Sequence, residues 1–313
     1  MREYLPRDFV ETAEGLFFAV VSHHLDQGRL LAFLRYARDD GSLRKLATEE
    51  AHQVLQSDYP RFLYESRQCD VRLHGIPKDC IKRHYSARRR ANQILTDSPA
   101  DELEAKCRRV LELLIDSGVD AKRLGVTGSL AIRAHHAKSD MDLVIYDRHQ
   151  FFRAREMVRQ ATARGVLQPL DETLWRETYE RRGCGLSFDE YVWHEQRKHN
   201  KLVIEGTKAD ISLIVPDPAP IASVWKKIST VEIEAGVIDD ELAFDYPARL
   251  TIDHPEISEI ASFTHTYTGQ ARRGERILAR GWIERSTTGE TRLLVGTSRE
   301  ARDEFVKVLR PSR

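Results

Sequence analysis

The chain has 313 residues, 41% hydrophobic and 31% charged, with 49 Lys plus Arg against 49 Asp plus Glu. That length accommodates two or three domains with sizeable cores, and the composition excludes a disordered chain. The balanced charge gives no global signal of an anionic partner, so only local patches can supply one.

Cys69, Cys80, Cys107 and Cys184 are scattered, form no CxxC pair and follow no secretory leader, which predicts reduced thiols in a cytoplasm. The first residues, MREYLPRDF, lack an apolar h-region, and no apolar stretch approaches the ~20 residues of a membrane span. The expectation is a soluble cytoplasmic protein with no membrane partner. Nothing in the pattern specifies an oligomeric state.

GLFFAVVS (Gly15 to Ser22) and RLLAFLRYA (Arg29 to Ala37) are apolar and flank the polar HHLDQG, which predicts an antiparallel strand pair. Thr48, followed by Glu49 and Glu50, predicts an N-capped helix that Pro60 ends. A second helix is expected from near Lys82, within IKRHYSARRRANQIL (Ile81 to Leu95). Its Lys82, Arg83, Arg88, Arg89 and Arg90 make a solvated face or a phosphate-contacting patch. Ser98-Pro99 marks a boundary.

From there the pattern turns α/β. Leu103, Cys107, Val110, Leu111 and Leu114 recur at helical spacing and Gly118 closes that helix. A strand at Leu124 to Thr127, a Gly-Ser turn, a helix after Ser129, a strand at Asp142 to Tyr146 and a helix at Phe151 to Ala163 follow. Leu174 to Asn200 reads as charged and helical. LVIEGTKADISLIV (Leu202 to Val215) reads as a hairpin joined near Gly206-Thr207, with Pro216, Pro218 and Pro220 as the exit linker. From about Leu242, short apolar runs broken by Gly274, Gly289 and Gly296 suggest a small barrel or sandwich. The expected domains are an N-terminal α+β domain at 1–98, an α/β core at 99–218 and a β-rich region at 219–313.

Asp140 and Asp142 are alternate residues at the entry of a strand, so both carboxylates project to one side. Like charges that close repel unless a cation sits between them. Gly128-Ser129 follows a short apolar strand and opens a helix, offering backbone N–H groups and a hydroxyl to an anion such as a triphosphate. Asp210, amid KADISLIV, is a lone acid in apolar surroundings that the hairpin could bring beside the first pair. Three carboxylates around divalent metal beside a phosphate-cradling turn suit nucleotidyl transfer, with two cations about 3.5 to 4 Å apart.

Gly128-Ser129, then Ser139-Asp140-Met141-Asp142-Leu143, then a distant strand acid, resemble the signature of the DNA polymerase beta-like nucleotidyltransferase superfamily, over roughly Leu103 to Val215. The Gly-to-first-Asp spacing is similar to that of its minimal members. The layout with extra N- and C-terminal domains is also similar to archaeal predicted nucleotidyltransferases. The resemblance implies a polymerase-beta-like core with a mixed sheet and helices. It implies that Gly128 and Ser129 hold the phosphates of an NTP, ATP among them. Asp140 and Asp142 would bind both metals or one each, and Asp210 would complete the catalytic metal site and help activate the acceptor hydroxyl. The cofactor would be magnesium as two ions, or manganese. Many relatives have Arg-Gly shortly after the Gly-Ser pair where this chain has Ile132 and Arg133, and Arg133 would instead reach a phosphate.

The implied activity is transfer of a nucleoside monophosphate to a hydroxyl on RNA or DNA with release of pyrophosphate. The alternatives are a protein or small-molecule acceptor, or an inert nucleic-acid-binding relative. HEQRKH (His194 to His199) is expected to be a solvated helix whose histidines, five apart, do not share a metal. His135-His136 reads as a polar loop pair. FTHTYTGQARRGER (Phe263 to Arg276) reads as a loop with a partly buried tyrosine, or as a stacking and basic surface for single strands. Cys184 has no histidine partner at readable spacing.

Overall fold

The computed structural model describes residues 3–66, 70–216, 218, 223–297 and 301–309. Cys69 and Pro220 lie outside the described residues. The architecture is mixed α/β, with three sheets, and the chain separates into two compact units: Met1–Met157 with Ile204–Pro220, and Val158–Val203 with Ile221–Arg313. One sheet falls within each of the three expected segments, but position 98 lies inside the first unit, and the second unit joins a piece of the middle segment to the C-terminal one.

The first sheet contains β1 (Phe9–Thr12), β2 (Leu16–Asp26), β3 (Arg29–Asp39), β4 (Ser42–Lys45), β5 (Leu63–Ser66), β6 (Val71–Pro77) and β7 (Ile81–Tyr85), in the order β5-β6-β3-β2-β1-β7 with β4 on β3. The strand pair expected from residues 15–37 is present as antiparallel β2 and β3. Alternation along β2 splits its side chains between two faces. Leu16, Phe18 and Val20 join Leu55 of α1 (Thr48–Asp58) and Phe62 in one core, and Phe17 joins Phe9 and Tyr36 on the other face. The cap of α1 is Ala47 rather than Thr48, with Glu50 accepting the Ala47 N–H at 3.4 Å.

No helix starts at Lys82. Residues 81–85 form β7, because β1 offers them a partner: Phe9, Val10 and Glu11 pair with Tyr85, His84 and Arg83. Tertiary pairing overrides local propensity there. Helix α2 (Ala87–Thr96) begins after Ser86, and buried Asp8 fixes the junction by accepting Ala87 N–H at 2.9 Å, with His84 Nε2 at 2.9 Å. The basic stretch divides accordingly. Lys82, Arg83 and Arg89 are exposed, Arg88 lies over the Tyr146 ring at 4.1 Å, and Arg90 is buried against Glu104.

The second sheet is built from β8 (Leu124–Thr127), β9 (Met141–Ile145), β10 (Lys201–Ile204) and β11 (Thr207–Leu213); α3 (Glu102–Asp116) precedes it, and α4 (Gly128–Ala131) and α5 (Arg148–Ala163) lie among the chain between its strands. β8 runs antiparallel to β9, and β11 runs parallel to it. Leu103, Cys107, Val110, Leu111 and Leu114 are the buried stripe of α3, as their spacing predicts. β10 and β11 are the expected hairpin, turning at Glu205-Gly206, which both adopt positive φ (46° and 72°). That is the two-residue turn whose twist matches antiparallel strands.

In the second unit, the region expected to be helical holds two helices: α6 (Glu172–Arg182), ended by left-handed Gly183, and α7 (Phe188–Gln196), opened by a Ser187/Glu190 capping box. The third sheet has β12 (Trp225–Asp239), β13 (Ala248–Asp253), β14 (Glu259–Ser262), β15 (Arg276–Ser286), β16 (Thr291–Val295) and β17 (Phe305–Val308). β12 precedes the region expected to be β-like. It pairs with both β13 and β15, so the pairings β12-β13-β14-β16-β15 return to β12, with β17 added on β15. Ile233, Ala235 and Val237 are its buried alternate positions. Among the described residues, no helix is long and apolar enough to cross a membrane.

Candidate active site

The parallel pairing of β9 and β11 sets the site. Asp210 is the register partner of Asp142, and Thr127 of β8 is the partner of Asp142 on its other side. Thr127, Asp142 and Asp210 therefore form one row across the sheet. Two residues before each of these acids, Asp140, just ahead of β9, and Lys208 of β11 meet at 3.1 Å. Met141, Leu143, Ala209 and Ile211 alternate to the opposite face and are buried there. The three carboxylates named from sequence are thus brought together, and all are half-buried.

The Gly-Ser turn lies against this row. Gly128 has φ +65°, and a Cβ added to it would fall inside the van der Waals envelope of Asp142 Oδ2. Glycine is needed there twice over, for its backbone conformation and for the space the carboxylate occupies. Ser129 is the second residue of the single turn of α4, and its carbonyl accepts the Ala134 N–H at 2.9 Å. Arg90, read from sequence as part of a basic face, is a support for this turn: its Nε donates to Leu130 O at 2.9 Å while it pairs with buried Glu104.

Ile132 and Arg133 now have separate explanations. Ile132 is buried with Ala131 against Phe9, Phe17 and Tyr36 of the first sheet, so an apolar residue anchors the turn to that sheet. Arg133 is exposed and adopts φ +56°, the left-handed conformation that a glycine would take without strain.

Electrostatics around Asp142 are those of a crowded acid. Burial raises its carboxyl above the ordinary range, the charge of Asp210 and then Asp140 adds to this, and Arg7 and Lys208 oppose it. Arg7 (φ +77°) comes from the segment before β1, which Leu5 packs against Val144, Tyr146 and Ile214 on the acid face of the sheet. Thr127 Oγ1 donates to the Arg7 carbonyl at 2.5 Å. Burial also raises the Tyr36 hydroxyl; Arg35 opposes this and Asp142 adds to it, so the first sheet lies within electrostatic reach of the acids.

Lys208 is the residue sequence reasoning passed over. Its Nζ lies 3.1 Å from Asp140 Oδ2 and 3.4 Å from Asp210 Oδ2. Its signal was legible in KAD, since a lysine two residues before a strand acid shares that acid's face. No comparable local signal marks Arg7. Among the described residues, no three His, Cys, Asp or Glu side chains are set around one point as a metal site. The all-oxygen donors Asp140, Asp142 and Asp210 suit magnesium, and the missing Cβ at Gly128 leaves Asp142 its space.

The other sequence signals resolve differently. HEQRKH is not a solvated helix: His194, Glu195 and Lys198 are buried, and His194 Nε2 accepts the Val308 N–H at 3.1 Å. Tyr267 and Gln270 are buried as well, donating to Glu304 O and Val306 O, which removes both from any stacking surface. His135 pairs with Asp101, the N-cap of α3, at 2.7 Å. Burial raises the Cys184 thiol, the wrong direction for a nucleophile.

No family model matches the chain, and no solved structure matches it. Uncharacterized protein MJ1086 of Methanocaldococcus jannaschii is 34% identical to it over a 336-residue alignment that takes in 97% of this chain and 98% of the relative. The similarity covers nearly all of both chains, and the chain belongs to the family of MJ1086.

Proposed function

We propose that this protein is a metal-dependent nucleotidyltransferase with a polymerase-beta-like core. It would move a nucleoside monophosphate from an NTP to a hydroxyl, with RNA or DNA as the acceptor class. The observation that carries this is the row of Asp142 and Asp210 on adjacent parallel strands, with Gly128 pressed against the Asp142 carboxylate. Asp140, Asp142 and Asp210 would hold magnesium as two ions, or manganese. When bound, the cations neutralise charge on the phosphates and polarise the acceptor hydroxyl.

Gly128 and Ser129 at the start of α4 would receive the phosphates, with exposed Arg133 reaching one of them. Asp210 would draw the proton from the hydroxyl. The hydroxyl oxygen then bonds to the α-phosphorus, the bond from that phosphorus to the bridging oxygen breaks, and pyrophosphate leaves. The ring of strand pairings in the third sheet suits a small barrel, and with exposed Lys82, Arg83 and Arg89 it favours a nucleic-acid acceptor.

Incubation of the protein with each labelled NTP, magnesium and total RNA or DNA tests this. Label in nucleic acid that Asp142→Asn abolishes is the expected result. Label in protein or a small molecule would change the acceptor. No label anywhere, with nucleic-acid binding retained, would favour a second reading that Lys208 raises: a lysine bridging two of the acids is also what an inert scaffold would hold permanently.

A further inference from the structure

The acid rows already meet a cation, and it belongs to the chain. The Lys208 side chain is 3% exposed, whereas those of Asp140 and Asp210 are 33% and 20% exposed. A lysine stem is long enough to carry its ammonium into water, and surface lysines do so. Here the ammonium is instead held beneath the carboxylates it bridges.

We propose that Lys208 is an intramolecular competitor for the divalent cation: its ammonium holds Asp140 and Asp210 as a resting pair, and metal enters only by displacing it. This rests on the metal-site reading above and adds a regulatory element to it. Lys208 stands two residues before Asp210 on β11 and its ammonium reaches Asp140, just ahead of β9, at 3.1 Å, so it leaves the acids by rotation of its own stem. Charge explains the need. Three carboxylates on neighbouring strand positions repel, and a fixed ammonium lowers that repulsion while no metal is bound. The same contact makes the oxygens of Asp140 and Asp210 less available, because ammonium and metal compete for the same lone pairs. Lysine suits the exchange, being a compact point charge on a flexible stem that can turn to another anion, where an arginine fork would stay locked to its carboxylate.

Calorimetric titration of the full chain with Mn2+ tests this, comparing wild type, Lys208→Met, Lys208→Arg and Asp142→Asn, with circular dichroism as the folding control. Lys208→Met should bind Mn2+ about ten-fold tighter or more, since one positive charge has left the first few ångströms around the site. Lys208→Arg should remain at or below wild-type affinity, and Asp142→Asn should weaken binding. Equal or weaker binding by Lys208→Met, with Asp142→Asn still weakening it, overturns the competitor role and leaves the metal site standing. Absence of binding in every protein overturns both. A second measurement needs no variant. Acetylation of Lys208 in the wild-type chain, read by mass spectrometry, should rise when Mg2+ is added, and an unchanged or reduced rate would count against displacement.

Discussion

Among the described residues, two clusters pair buried lysine with carboxylate, and they are built to opposite ends. In the first unit, three half-buried acids face Lys208, with Arg7 in electrostatic reach, and negative charge is in excess. In the second, Lys198 and Lys201 both pair with Glu195, at 2.5 and 2.6 Å, and all three side chains are nearly or fully buried. Lys198 also donates to Thr266 O at 2.8 Å. Burial pushes the Glu195 carboxyl up, but Lys198 and Lys201 outweigh it and hold it at about 2; burial lowers Lys198 to about 8 against the pull of Glu195. A closed cluster with one acid answering two cations fixes a fold. An open one with surplus carboxylates is where a cation has something to bind.

Substituting the acids should separate the two most sharply. Asp142→Asn and Asp210→Asn should each lower transfer by roughly a thousand-fold or more while the chain stays folded, because loss of one carboxylate also relieves repulsion. Turnover equal to wild type in both variants removes the site assignment. Glu195→Gln should do the reverse, costing about 3–5 kcal/mol of stability in the second unit by stranding two buried cations, as denaturant unfolding would show. A loss under about 1 kcal/mol would mean the cluster is not structural.

Gly128→Ala should combine both effects more mildly. The left-handed backbone and the Asp142 clash predict about 1–3 kcal/mol of destabilisation together with loss of transfer. Full activity at wild-type stability would show that the turn does not hold the carboxylate.

Acid titration compares the units directly. Buried His74 is lowered to about 4 from 6.5 by burial, with His52 adding, and its Nδ1 must stay unprotonated to accept the Leu34 N–H. The unfolded chain therefore binds the extra proton first. This contribution is fully present above pH 6.5 and is lost as pH falls toward 4. Glu195 contributes fully above 4.5 and loses its share only as pH falls toward 2. Hydrogen exchange followed by mass spectrometry should show the first sheet loosening at higher pH than α7, and the opposite order would overturn the comparison. Arg133→Gly should be the smallest change, shifting stability by less than about 1 kcal/mol because the backbone is already left-handed, yet weakening nucleotide binding several-fold. Unchanged binding would remove Arg133 from the phosphate site.

The strand period made Asp140 and Asp142 legible as neighbours on one face, and the helical stripe of α3, the strand at Leu124 to Thr127 and the hairpin at residues 201–213 followed from patterns as local as these. Gly128-Ser129 could likewise be read as a turn that opens a helix. What local pattern does not carry is register between distant strands. That Asp210 lies beside Asp142, that Lys208 faces Asp140, and that Arg7 reaches Asp142 depend on pairings and packing between segments up to 135 residues apart. The same holds for residues 81–85, which form a strand because β1 is there to pair with them. It holds also for Ile132, whose place is decided by Phe9, Phe17 and Tyr36. The sequence by itself determined which side chains share a face. Only the tertiary structure decided which faces meet, because burial and interstrand hydrogen bonding are settled between segments and not within them.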